Sequence, residues 1–181
     1  MSDPMLDYRG NLRLDWSPEA GISAERVGEL EPTNLAVLQS VAAMEEGVSP
    51  RLREEQPELH HELERLGARL DLLLDMVARL LKHADELTAR PAVMAVERLR
   101  FLADPGEVEA EQTGLLRLFL HPAVPQPLVL PGRILAVADE GPEAGWAEFQ
   151  PLPISTRLRD ALGQHVFRHH RRMIAEQRAR G

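Results

Sequence analysis

The chain has 181 residues, room for one domain with a helical extension, and its 29 acidic and 21 basic residues leave a formal charge of −8. An acidic chain repels phosphate backbones, which argues against broad nucleic-acid binding, and the absence of cysteine excludes disulfides, thiolate metal sites and a cysteine nucleophile. A hydrophobic content of 44% supports a packed core, while no apolar run reaches the roughly 18 residues of a membrane span, so no membrane insertion is expected.

Met1-Ser2-Asp3-Pro4 has neither the basic nor the apolar character of a secretory leader, and the expected location is cytoplasmic. Residues 1–33 read as a polar arm with one short strand, in which Leu12, Leu14 and Trp16 alternate with Arg13 and Asp15; this strand can add to a later sheet. Residues 17–32 read as a linker. Thr33 or Asn34 is placed to cap a helix reaching about Glu46, with Leu35, Leu38, Val41 and Ala42 as its apolar stripe and Gly47 as its stop. Pro50 and Pro57 predict a bend over 48–57.

The strongest pattern follows. Leu59, Leu63, Leu66, Leu70, Leu73, Val77, Leu80, Ala84 and Leu87 alternate spacings of four and three, a heptad repeat that predicts a helix over 58–88. Such a helix rises about 46 Å, too long to bury its stripe in a small domain. Leu74 and Leu81 at e positions, Met76 at g and Leu72 at c widen the stripe beyond a dimer seam, which favours three- or four-helix assemblies. The competing arrangement is an intramolecular bundle with the helix at 34–46, which is less than half as long. The length argument favours self-association.

Pro91 is the expected helix stop. Beyond it, Val93 to Phe101 reads loosely as one strand, Asp104-Pro105-Gly106 as a turn, and Gly114 to Leu120 as a strand stopped by His121-Pro122. Leu128 to Val137 is a further strand with Pro131-Gly132 as a bulge or bend, and Gly145 to Leu152 is another, with Trp146 and Phe149 as core anchors. Short strands with tight turns imply a small antiparallel barrel or sheet. Ser155 caps a final helix to about Arg178, with Leu158, Leu162, Val166 and Met173 along one face and Phe167 and Ile174 beside them.

No G-x-S-x-G, Walker A or dinucleotide-binding glycine fingerprint occurs, and none of the six serines has a triad context, so the chain does not read as an enzyme. His165 and His169 share a helix face, but neither cysteine nor an HExxH pattern supports them, and they read as surface or interface residues rather than metal ligands. His60, His61 and His83 read as solvated or at chain contacts. Charge is more informative. Residues 1–64 hold fourteen acids and five arginines, whereas residues 165–181 hold five arginines against Glu176. Within that basic helix Arg168 and Arg172 share a face with Arg171 beside them, a cluster able to clamp a phosphate. Alternatively these arginines pair with acids of the N-terminal part or of a neighbouring chain.

Several pieces in order carry a family likeness. They are Leu12-Arg13-Leu14-Asp15-Trp16, Leu70-Asp71-Leu72-Leu73-Leu74, Leu118-Phe119-Leu120-His121-Pro122, Pro127-Leu128-Val129-Leu130-Pro131-Gly132-Arg133, Gly145-Trp146-Ala147-Glu148-Phe149, and Val166-Phe167-Arg168-His169-His170-Arg171-Arg172 with Ala175-Glu176. The chain resembles the atypical, tetramer-forming branch of the PilZ family. The resemblance implies a PilZ-type β-barrel, long helices that assemble a tetramer, and a role in bacterial cyclic di-GMP signalling. Standard receptors of this kind hold the dinucleotide with RxxxR and D/N-x-S-x-x-G segments. RxxxR occurs at Arg9/Arg13, Arg65/Arg69 and Arg168/Arg172, none leading into the barrel's first strand as read here. The second segment does not occur.

The expectation is therefore an α+β protein: an arm at 1–33, a helical oligomerisation region at 34–90, and a PilZ-like barrel with a C-terminal helix at 91–181. The expected function is a non-enzymatic cyclic di-GMP signalling adaptor. It would form a homotetramer through Leu59, Leu63, Leu66, Leu70, Leu73, Leu74, Val77, Leu80, Leu81, Ala84 and Leu87 and engage a protein partner in the pathway. No cofactor or metal is expected. The alternative is a true cyclic di-GMP receptor using Arg168, Arg171 and Arg172.

Overall fold

The computed structural model describes residues 7–46, 57–81 and 87–180. Six strands close an antiparallel barrel: β1 (Tyr8–Pro18), β2 (Ala89–Met94), β3 (Leu99–Leu102), β4 (Thr113–Phe119), β5 (Leu128–Val137) and β6 (Trp146–Pro151), in the order β1-β2-β3-β6-β5-β4. Among the described residues three α-helices accompany it: α1 (Ala24–Glu46), α2 (Pro57–Leu81) and α3 (Thr156–Arg180). The architecture is α+β, as expected.

The strand at Leu12–Trp16 is longer than its alternation suggested, and it closes the barrel. Tyr8 to Arg13 pair with β2, and Arg13 to Pro18 pair with β4. Leu12, Leu14 and Trp16 point into the core while Arg13 and Asp15 point away, as period two requires. The remaining strands add Met94, Leu99, Phe101, Leu116, Leu118, Leu128, Leu130, Ile134 and Phe149 to one continuous core. Trp16 stacks edge-on against Phe149 with ring centroids 5.9 Å apart and donates its indole N–H to Gln112 Oε1 at 2.8 Å.

Several local expectations are corrected. The segment 17–32 is not a linker throughout, because α1 begins at Ala24 and takes Pro32 into its interior. Ser23 is the cap: its Oγ accepts the Arg26 N–H at 3.1 Å and its carbonyl accepts the Val27 N–H at 3.1 Å. Val93 to Phe101 is two strands, joined through a turn in which Ala95 N–H donates to Arg98 O at 2.8 Å, and Pro91 lies inside β2. In β5 the chain passes Pro131-Gly132 in register with β4, and the irregularity falls between Ile134 and Ala136. Phe149 is a core anchor; Trp146 is not, because Ala147 and Phe149 take the inward positions of β6 and leave Trp146 half-buried under the Arg100 guanidinium.

Other expectations hold. Asp104-Pro105-Gly106 is a turn, closed by Glu107 N–H to Asp104 O at 3.0 Å, with Gly106 at φ +77°, where proline at the second position and glycine at the third are favoured. Ser155 caps α3 through its Oγ to the Leu158 N–H at 3.1 Å and donates to Glu31 Oε1 of α1 at 2.7 Å.

Asn34 is buried and does not cap a helix. Its Nδ2 donates to Val129 O at 2.8 Å, and its Oδ1 accepts the Val129 N–H at 2.8 Å. Val129 lies on the part of β5 that runs beyond its pairing with β6, so one side-chain amide completes an open sheet edge and docks α1 on the barrel. Asn34→Ala leaves both main-chain groups without their partner and is expected to cost about 3 kcal/mol, read from denaturant unfolding. An unchanged midpoint would show that the contact is dispensable.

Candidate functional site

Two features could carry function: the leucine stripe of α2 and the arginine cluster of α3. On α2, Leu59, Leu63, Leu66, Leu70 and Leu73 are exposed, Leu70 by 58%, and so is Leu72. None of the residues of α2 joins the hydrophobic core among the described residues. Among the described residues, a bundle with α1 does not enclose these leucines. Leu35, Val37, Leu38 and Val41 of α1 are spent on the core they share with the barrel and α3. Leu74, Val77, Leu80 and Leu81 continue along the same helix. Ala84 and His83 lie outside the described residues, and Leu87 sits in a bend before β2 rather than in the helix.

On α3, Leu158, Leu162 and Val166 enter the core and so fix the rotation of the helix. That rotation separates the three arginines. Arg168 and Arg172, one turn apart, both reach the C-terminal end of α1. Arg168 Nε lies 3.4 Å from Glu45 Oε2, and Arg172 Nη1 lies 3.4 Å from Glu45 Oε1. Arg171 is exposed and lies over the ring of Phe167, 5.7 Å from its centroid. Of the other RxxxR pairs, Arg9 and Arg13 lie within β1, with Arg9 Nε 2.9 Å from Asp7 Oδ2, and Arg65 on α2 pairs with Glu62 at 3.4 Å.

Tyr8 and Asp7, which the sequence did not single out, complete the junction with the histidines of α3. Tyr8 packs edge-on against His169 with ring centroids 3.8 Å apart and stacks on His165 at 6.3 Å. His170 Nδ1 lies 3.0 Å from Asp7 O, which ties the start of β1 to α3. Burial and the nearby Glu45 carboxylate both push the Tyr8 phenol up. His165, expected at a surface or interface, is 1% exposed, and neither ring nitrogen has a hydrogen-bond partner among the described residues. His60, expected to be solvated or at a chain contact, is buried within the single chain, with Nε2 3.5 Å from Glu64 Oε1. Among the described residues no three His, Asp or Glu side chains gather as a metal site would need.

Burial lowers the His165 pKa from 6.5 to about 4; Glu45 opposes the shift, and His169, Arg168 and Arg172 add to it. The unfolded chain therefore binds a proton on this residue at a higher pH than the folded one does. The stabilisation is complete above pH 6.5 and is lost as the pH falls towards 4. The loss is on the order of 3 kcal/mol across that window. His165→Leu is expected to flatten the acid limb of stability against pH. Parallel curves for parent and variant would overturn the assignment.

A family model described as atypical PilZ domain, cyclic di-GMP receptor, matches residues 38–179. The chain belongs to the atypical PilZ domain family, as its sequence suggested. A solved structure from Xanthomonas campestris, described as a pathogenic protein with a new tetrameric PilZ domain self-assembled via an unusual helical bundle, is 29% identical. The likeness has a TM-score of 0.75 and covers 97% of this chain and 93% of that one. No curated protein matches. The family match begins at Leu38, inside α1, and so omits the strand that closes the barrel. No helix among the described residues is long and apolar enough to cross a membrane.

Proposed function

We propose that this chain is a non-enzymatic cyclic di-GMP signalling adaptor that acts as a homotetramer. The observation that carries the reading is the row of exposed leucines at 59, 63, 66, 70 and 73, which the chain's own core does not cover. Water-exposed leucines at heptad spacing are satisfied by copies of the same helix, and a stripe wider than a dimer seam suits four of them. The tetrameric neighbour, assembled through a helical bundle, supports the same arrangement. In this reading the heptad helix α2 is the assembling region, while α1 and β2, at either end of the expected 34–90 span, belong to the barrel and its core. The barrel, completed by the strand of the N-terminal arm, and the C-terminal helix are presented from it in several copies. Multiple presentation raises avidity for a cytoplasmic protein partner without new contacts. Light scattering at micromolar concentration is expected to give four times the 20.3 kDa chain mass. A monomer would refute the adaptor.

A second reading, direct binding of cyclic di-GMP, is favoured by the excess of arginine on α3, where Arg171 is exposed and Arg168 and Arg172 share a single carboxylate. Arg168, Arg171 and Arg172 would meet the phosphates. Calorimetric titration with cyclic di-GMP decides it: absence of heat leaves the adaptor alone.

A further inference from the structure

We propose that Glu45 is a built-in competitor for an anionic ligand at the α3 arginines, a gate that a phosphodiester must displace. This rests on the second reading above, in which those arginines form the ligand site.

The geometry has three parts. First, a single carboxylate spans two guanidiniums, with one oxygen for each, as a phosphate group would. Second, the two contacts are loose. Both are 3.4 Å, longer than the roughly 2.8 Å of a tight charge-assisted hydrogen bond. Third, access is one-sided. The Glu45 side chain is 7% exposed, whereas those of Arg168 and Arg172 are 25% and 47% exposed. The carboxylate is thus shielded, while both arginine side chains keep contact with solvent. Among the described residues the contact sets two guanidiniums against the one Glu45 carboxylate, an excess of positive charge that attracts an anion.

Position makes the contact consequential. Glu45 is the second-last residue of α1, just ahead of the segment leading to the heptad helix. A ligand that takes over Arg168 and Arg172 releases this end of α1 and thereby couples an anion on α3 to the assembling region.

The test titrates the full chain calorimetrically with cyclic di-GMP and, in a parallel arm, with inorganic phosphate. It uses the parent, Glu45→Gln, Arg168→Ala/Arg172→Ala, and the triple variant. Glu45→Gln keeps the shape and removes the charge. It is expected to bind cyclic di-GMP at least tenfold more tightly than the parent, with the gain abolished in the triple variant. An equal gain for phosphate assigns the site to the phosphate group itself; a gain for the dinucleotide alone assigns it to the nucleotide. Either supports the gate. If Glu45→Gln binds neither probe more tightly while Arg168→Ala/Arg172→Ala weakens the parent, the arginines bind ligand and only the gate fails. If the parent binds and the arginine variant is unchanged, the arginine reading itself fails, and the gate with it. Loss of the circular dichroism of the fold in Glu45→Gln also overturns the proposal, because a gate must open without unfolding the chain.

Discussion

Leu66→Lys with Leu70→Lys is expected to convert the proposed tetramer to monomers, read by light scattering, while the barrel stays folded. Both side chains are exposed on α2, and neither belongs to the core of the single chain. Among the described residues nothing in the single chain covers them, and the proposed tetramer would bury them. A buried leucine contributes about 1.5–3 kcal/mol, so replacing two in each of four chains removes on the order of 15 kcal/mol of assembly energy, before counting the cost of burying ammonium groups. The fluorescence of Trp16, packed against Phe149, reports the barrel independently. A tetramer that survives both lysines would place the interface elsewhere. A barrel that melts with the assembly would show that the chain cannot fold without its neighbours.

Gly132→Ala is expected to be the most damaging small substitution in the barrel, at about 3 kcal/mol or more, seen as a large drop in melting temperature. A methyl group there would overlap the Phe149 ring and the Gln150 carbonyl oxygen, one of which is backbone and cannot turn aside. Across the β4–β5 ladder Gly132 faces Gly114, where a methyl group would strike Ser17 O and the Trp16 ring. Two glycines in register thus let the sheet bend tightly over the Trp16 and Phe149 rings. A melting temperature within two or three degrees of the parent, measured with intact assembly, would contradict this packing.

What the sequence disclosed and what it hid follow from the range of each signal. Alternation in Leu12, Leu14 and Trp16, heptad spacing in α2, and the Asp104-Pro105-Gly106 and Ser155 punctuation are local, and each corresponds to an element in the fold. The start of α1 was hidden because Pro32 and the polar residues before it imitate a linker, although Ser23 was available as a cap. The β2–β3 hairpin was hidden because Ala95 to Arg98 turns without glycine, proline or asparagine. Asn34 was misread because its type suits a helix cap, while its partner, Val129, is 95 positions away. The candidate site divides similarly. The arginines of α3 are visible as a charge run, but Glu45 lies 123 positions from Arg168, and only the docking of α1 on α3 identifies it as the acid they share. The burial of His165 is likewise a product of packing with Tyr8, from the other end of the chain.

The strand that seals the barrel is also the earliest one to leave the ribosome. Between the end of β1 at Pro18 and the start of β2 at Ala89, the first strand it pairs with, lies the whole of α1 and α2. At about 5–20 residues per second, β1 waits several seconds in the open during synthesis, with both edges bare, until β2 and then β4 emerge. Helix formation takes microseconds, so the leucine helices of chains growing side by side can meet before any barrel is complete. Assembly on polysomes would then bring several unfinished barrels within reach of one another. An unclaimed first strand could then be borrowed by a neighbour, and the tetramer would carry exchanged staves while keeping the same outward shape.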